Sequence, residues 1–187
     1  MASKHKSWDP FVIIFVLACL LVGWLVKEGI EARTVDFTDT NADISLKYPA
    51  GWLPRPDASS IFSVFDPQSQ SFYNTGIKLT VTMGYANSEE RMVDFIEHLR
   101  SQRESSYSLY HTISISPFEI DTLETTRLDY VYVTFLPEMI APDIVRAFDI
   151  IIPKDNLVYI LTFSADESEY ERNLSEFNAI VSSIRSI

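Results

Sequence analysis

Residues 11–26 of this chain, Phe-Val-Ile-Ile-Phe-Val-Leu-Ala-Cys-Leu-Leu-Val-Gly-Trp-Leu-Val, carry no charge. Counted from Trp8 to Val26 the segment is 19 residues long. As a helix it would measure about 28 Å, close to the thickness of a bilayer's hydrocarbon core. Such a run predicts a transmembrane helix and confines any soluble fold to its flanks. Trp8 and Trp24 fall near the two ends, where indole rings favour the headgroup level. Within the helix, Ala18 and Gly23 form a modest small-residue patch for packing against other helices.

Two other readings of the segment are weaker. A cleaved signal peptide needs small residues after its apolar core, and Lys-Glu-Gly-Ile-Glu-Ala at 27–32 offers a poor site. A lipoprotein signal would use Val-Leu-Ala-Cys at 16–19, yet seven more apolar residues follow Cys19. Cys19 then reads as a small residue facing lipid or another helix. Lys4, His5 and Lys6 precede the span, whereas its other flank mixes Lys27 and Arg33 with Glu28 and Glu31. The positive-inside bias places the N-terminus in the cytoplasm and the C-terminal domain on the periplasmic, extracellular or lumenal side.

The chain has 187 residues, with 15 basic and 26 acidic side chains and a net charge of −11. Four basic and three acidic residues lie in 1–33, which leaves 11 basic and 23 acidic for the remainder. An acidic domain of this kind does not grip nucleic acid through its phosphates. A single cysteine excludes a disulfide framework. The organisation expected is a tip and transmembrane helix over 1–33, a polar tether over 34–41 and one soluble domain over 42–187.

Within that domain, residues 44–48, 61–65 and 77–83 read as strands bounded by Pro, Gly and Asp. A helix capped by Asn87 or Ser88, with Glu90 completing a capping box, carries Met92, Phe95, Ile96 and Leu99 as its apolar stripe and stops near Gln102. Strands follow at 113–116, 118–120, 124–136, 145–152 and 157–163, the last two joined by a turn at 153–156. Residues 157–163 leave neither face polar, so that strand should be central in a sheet covered on both sides. Asp166 begins a final helix with Tyr170, Leu174, Phe177, Val181 and Ile184 at helical spacing. The fold class is α+β, built on an antiparallel sheet.

Catalytic signatures are lacking: there is no nucleophile elbow, zinc-protease helix or phosphate loop. His98 and His111 read as a helix-surface and a loop residue, with no ligand set around them. Asp39, Asn41 and Asp43 match the first half of a calcium loop, but Ile44 and Ala50 stand where glycine and the bidentate glutamate belong. Asp166, Glu167, Glu169 and Glu171 suit the positive end of a helix dipole. The Asn173 glycosylation sequon lies inside the final helix and is accidental. No catalytic residue, metal site or cofactor is expected. The one anomalous loop is 136–142, where Met139 and Ile140 sit between Pro137 and Pro142. These residues either fold back on the domain or form a docking knob for another subunit or the membrane surface.

The segment Ile-Ser-Leu-Lys-Tyr-Pro-Ala-Gly-Trp at 44–52 resembles the opening strand and turn of PsbP-like domains. Val-Tyr-Ile-Leu-Thr-Phe-Ser-Ala at 158–165, followed by an acidic helix with Tyr170 and Phe177 and ending Ile-Val-Ser-Ser-Ile at 180–184, resembles their closing strand and helix. The likeness covers residues 42–187. It implies an α-β-α sandwich and a non-enzymatic scaffolding role, and it carries no catalytic or metal-binding residue across. The anchor is a departure from the plant lumenal members. The function expected is that of a non-catalytic, single-pass accessory subunit of a photosynthetic or respiratory membrane complex. Its partners would be integral-membrane subunits and the lipid bilayer. The alternative is a membrane-tethered module binding a lipid, pigment or other small ligand.

Overall fold

A computed structural model describes residues 10–31, 33–40, 44–83, 89–120, 123–135, 141–154 and 156–186. Helix α1 spans Pro10–Glu31. Strands β1 (Thr34–Asp39) and β2 (Ile44–Pro49) pair antiparallel, and β10 (Arg185–Ser186) adds to the other edge of β2. Thr34–Asp39 is therefore a strand and not the polar tether expected. Val35 and Phe37 give it one apolar face, and Phe37 packs on Phe62 with ring centroids 4.4 Å apart.

The main sheet contains β3 (Leu53–Pro54), β4 (Phe62–Phe65), β5 (Gly76–Met83), β6 (Ser108–Ile120), β7 (Leu123–Thr134), β8 (Asp143–Lys154) and β9 (Leu157–Asp166). Its order is β3-β4-β5-β9-β8-β7-β6, and every neighbouring pair is antiparallel. The doubly apolar β9 lies at the centre, as its sequence predicts. The two short strands expected at 113–116 and 118–120 are parts of the single edge strand β6, which runs through Pro117 in register with Thr126 of β7. An edge position tolerates proline because its missing N–H need not face a partner.

Alternation assigns the two faces. Phe148, Ile150, Leu161 and Phe163 point to α3 (Glu167–Ser182), where Tyr170, Phe177, Ile180 and Val181 close the larger core. Trp52 joins that core edge-on to Phe177 at 6.2 Å. On the other face Ile96 and Leu99 of α2 (Glu89–Ser106) pack against Leu128, Val145, Ile151 and Ile160. Helix, sheet, helix is the layering expected. The carboxylate of Asp166 caps α3 by accepting from Ser168 N at 2.9 Å. At its other end Ser183 Oγ accepts from Lys47 N at 2.8 Å, tying the helix to β2. The caps expected for α2, Asn87 or Ser88, lie outside the described residues.

The N-terminal expectation fares differently. Among the described residues no helix is long and apolar enough to cross a membrane. The transmembrane span, and with it the single-pass localisation, is thus not supported there. Ala18, Gly23 and Trp24 are exposed on α1, and Trp8 lies outside the described residues.

Candidate functional site

Helix α2 covers only part of its face of the sheet. Its buried contacts are with β7, β8 and β9, and the β4–β5 side is left open. There the strand alternation turns polar: Lys78, Thr80 and Thr82 of β5 and Thr162 and Ser164 of β9 point away from α3. The result is a groove of about 520 Å³. One wall is α2, with Phe95, His98, Gln102 and Arg103; the other is the segment carrying Arg55, Asp57 and Ser59. Gly76 lies in its floor, where a Cβ would stand 2.9 Å from the Val64 carbonyl oxygen, so close approach of β4 requires glycine.

One cross-strand row, Ser63–Lys78–Thr162–Asp149, runs from the open side to beneath α2. Asp149 is fully buried. It accepts from Arg103 Nε and Nη2 at 3.1 Å each, from Thr162 Oγ1 at 2.6 Å and from Tyr130 OH at 3.2 Å. Arg103 Nη1 also donates to Tyr107 OH at 3.2 Å. Burial alone would lower the pKa of Arg103, but the Asp149 carboxylate more than offsets it and the guanidinium is held charged above its usual range. Tyr107 stacks on Tyr132 with centroids 4.0 Å apart. Burial raises the phenols of Tyr107, Tyr130 and Tyr132, so they act here as hydrogen-bonding groups and not as bases.

On the opposite wall Lys78 Nζ lies 2.6 Å from Asp57 Oδ2 and donates to Ser59 Oγ at 2.8 Å. Hydrogen bonds from Lys78 and Ser59 hold the Asp57 carboxyl well below the usual carboxylate range. Tyr73 closes the end of the groove, donating to Ser164 Oγ at 2.8 Å and sharing a 3.0 Å hydrogen bond with Tyr132 OH. The loop that carries it, residues 66–75, is pinned by Glu169. That carboxylate is buried and accepts from Gln70 N at 2.6 Å and from Thr75 Oγ1 at 3.3 Å, and it also accepts from Ser69 Oγ. Burial opposes its charge, yet the Ser69 and Gln70 hydrogen bonds lower its pKa.

Of the residues singled out from sequence, only His98 reaches the groove, as an exposed residue of its α2 wall. His111 is exposed on β6. Asn173 is buried, with Nδ2 donating to the Glu169 carbonyl at 3.0 Å, which fits an accidental sequon. Glu169 does more than complement a helix dipole. Pro142 is exposed just before β8, while Met139 and Ile140 lie outside the described residues. Asn41 and Asp43 lie outside them too. Among the described residues no group of three His, Cys, Asp or Glu side chains could hold a metal. Sequence reasoning missed Lys78, Arg103, Asp149 and Tyr73. The readable signal was Asp149, a lone carboxylate inside Ala-Phe-Asp-Ile-Ile-Ile at 147–152.

The sequence matches no family model and none of the curated proteins. Solved structures do resemble it. The solution structure of cyanobacterial PsbP (CyanoP) from Synechocystis sp. PCC 6803 superposes with a TM-score of 0.64 at 12% identity, covering 83% of this chain and 94% of that one. LpqN of Mycobacterium tuberculosis, described as involved in cell envelope biogenesis, gives 0.55 at 14% identity, with 81% and 89% covered. The Ran-binding protein Mog1p of Saccharomyces cerevisiae gives 0.55 at 9% identity, with 82% and 95% covered. At such identities the likeness concerns the fold alone: beyond α1, this chain has a PsbP-like fold.

Proposed function

We propose that the protein is a non-catalytic, single-pass accessory subunit whose PsbP-like domain covers or stabilises the outer face of a membrane complex. The observation carrying this reading is α1. Every described side chain of α1 from Val12 to Trp24 is exposed, and none of them carries a charge. A bilayer is an environment that removes such a surface from water. The N-terminus lies in the cytoplasm and the domain on the far side.

Docking is assigned to the 136–142 loop, with Ala18 and Gly23 packing in the membrane. The loop is flanked by exposed Phe135 and Ile144, at 67% and 50% of their full areas. Register places Ser108 opposite Val133, and Val133 opposite Ile144. The β6 irregularity beside Ser108 holds Leu109 at φ 51 and 79% exposed. A leucine in the left-handed region costs roughly 1–2 kcal/mol, strain of the kind that concentrates at working surfaces.

Washing membranes that contain the full chain with alkaline carbonate tests the anchor; the protein should stay in the pellet, and its release overturns the anchor. Met139→Ser combined with Ile140→Ser should leave the domain folded and free the protein from its integral-membrane partners in mild detergent. Undiminished co-purification would remove the loop from the interface.

A further inference from the structure

Over residues 34–187 acidic side chains outnumber basic ones 23 to 11. The groove reverses that balance, since Arg55, Lys78 and Arg103 line it against Asp57 alone. Even with buried Asp149 counted, the site keeps one surplus positive charge in a domain that repels anions elsewhere. Field focusing by low-dielectric walls makes such a surplus more effective in a concavity than on an open surface.

The cations also retain donors. Lys78 uses two of its three N–H bonds on Asp57 and Ser59. Arg103 commits Nε and Nη2 to Asp149 and Thr162 and one Nη1 hydrogen to Tyr107, leaving the second Nη1 hydrogen. Thr162 lies between the two: it is the cross-strand partner of Lys78, and its hydroxyl accepts from Arg103 Nη2 at 3.3 Å. Arg55 stands over the Phe65 ring at 4.7 Å, and among the described residues it has no carboxylate partner. Beside Thr162, the side chains of Thr80, Thr82 and Ser63 present hydroxyls along the floor. The cavity has the volume of a small-ligand site, and its floor of hydroxyls and charged side chains suits a hydrophilic ligand better than a lipid tail or a pigment.

We propose that this groove binds a small anionic polyol, a phosphate bearing neighbouring hydroxyls, with the phosphate over Thr162 between Lys78 and Arg103 and the hydroxyls along β5. A free polyol phosphate and a glycerophosphate lipid headgroup share that chemistry. The site is independent of the docking loop and of the anchor, so either reading can fail without the other.

The test is calorimetric titration of the full chain in detergent micelles with glycerol 3-phosphate, glycerol and inorganic phosphate, and with short-chain phosphatidylglycerol and phosphatidylcholine dissolved in the same micelles. Saturable binding of glycerol 3-phosphate that exceeds both fragments supports the site as one for a free ligand. Saturable heat specific to phosphatidylglycerol, lost in Arg55→Gln, supports the headgroup as its source. Lys78→Met should weaken either interaction about tenfold or more, the size of one hydrogen bond to a charged group. Arg55→Gln, at an exposed position that cannot unfold the domain, should weaken it with unchanged melting. Equal binding of glycerol and glycerol 3-phosphate, or no saturable binding with either source, or full binding by both variants, overturns the proposal.

Discussion

Strands β5, β8 and β9 show Leu79, Ile150 and Leu161 to α3, and Lys78, Asp149 and Thr162 to α2. The first face is sealed by a helix along the middle of the sheet, with Phe148, Phe163, Tyr170 and Phe177 forming one aromatic cluster. The second is half covered and spends its central strands on a buried ion pair, three tyrosines and an open row of hydroxyls. An unused solvent face would carry scattered polar side chains, but it would have no need to bury a carboxylate beneath a helix. The difference separates labour: the α3 side supplies cohesion, and the α2 side holds a rigid polar concavity at some expense in stability.

The largest expected effect tests the cohesive side. Phe177→Ala should remove about 3–5 kcal/mol of stability, because a fully buried ring leaves a cavity among packed aromatics. Urea unfolding measures it, and a loss below about 1 kcal/mol would mean that α3 is not the principal seal. Arg103→Met comes next, at about 3 kcal/mol, since it leaves Asp149 buried without its cation. Combining it with Asp149→Leu should recover most of that loss. Failure of the double variant to recover would show that the network holds more than α2.

A smaller effect distinguishes the loop that links the two faces. Glu169 has its carboxyl lowered in the fold by the Ser69 and Gln70 hydrogen bonds. Its contribution is therefore full above the unfolded-state value and is lost as pH falls through the lower folded value. Glu169→Gln should cost about 1–2 kcal/mol at neutral pH, the worth of hydrogen bonds to a charged acceptor. The gap between the parent and the variant should close below pH ~4. A gap independent of pH would mean that shape, not charge, pins residues 66–75.

How much of this was legible follows from where the information sits. The α3 seal was readable because Tyr170, Phe177, Val181 and Ile184 recur at helical spacing and all are buried. Central β9 was readable because both of its faces are apolar over 157–161. Strand β1 was not, because Thr34–Asp39 offers only two apolar residues and draws its pairing from β2, which no local pattern reveals. The early part of β6 was missed for a similar reason, its edge position leaving Ser108, Leu109 and His111 exposed. The groove was invisible by the same logic carried further. Arg55, Lys78, Arg103 and Thr162 come from four separate segments, and each alone looks like an ordinary solvent-facing residue. Only the register of β5, β9 and β8 sets them side by side.

The smallest effect runs in the opposite direction to that of Glu169. Asp143 begins β8 and receives the Tyr73 N–H, so it holds the same loop from the α2 side. Its Oδ2 is buried without a hydrogen-bond partner, and burial together with the nearby Asp166 charge raises its pKa. For a carboxyl raised in the fold the ionised form is the strained one, so its cost is absent at low pH and appears as pH rises through the raised folded value. Asp143→Asn keeps the oxygen that accepts from Tyr73 and removes the charge facing Asp166. It should stabilise the domain by about 0.5–1 kcal/mol at pH 7, with the gain fading below pH ~4. Thermal melts of the parent and the variant across that range measure both features. A destabilised variant at neutral pH would mean that the Asp143 charge itself orders the Tyr73 end of the groove, and that the polar face draws cohesion from its charges as the α3 face does from its rings.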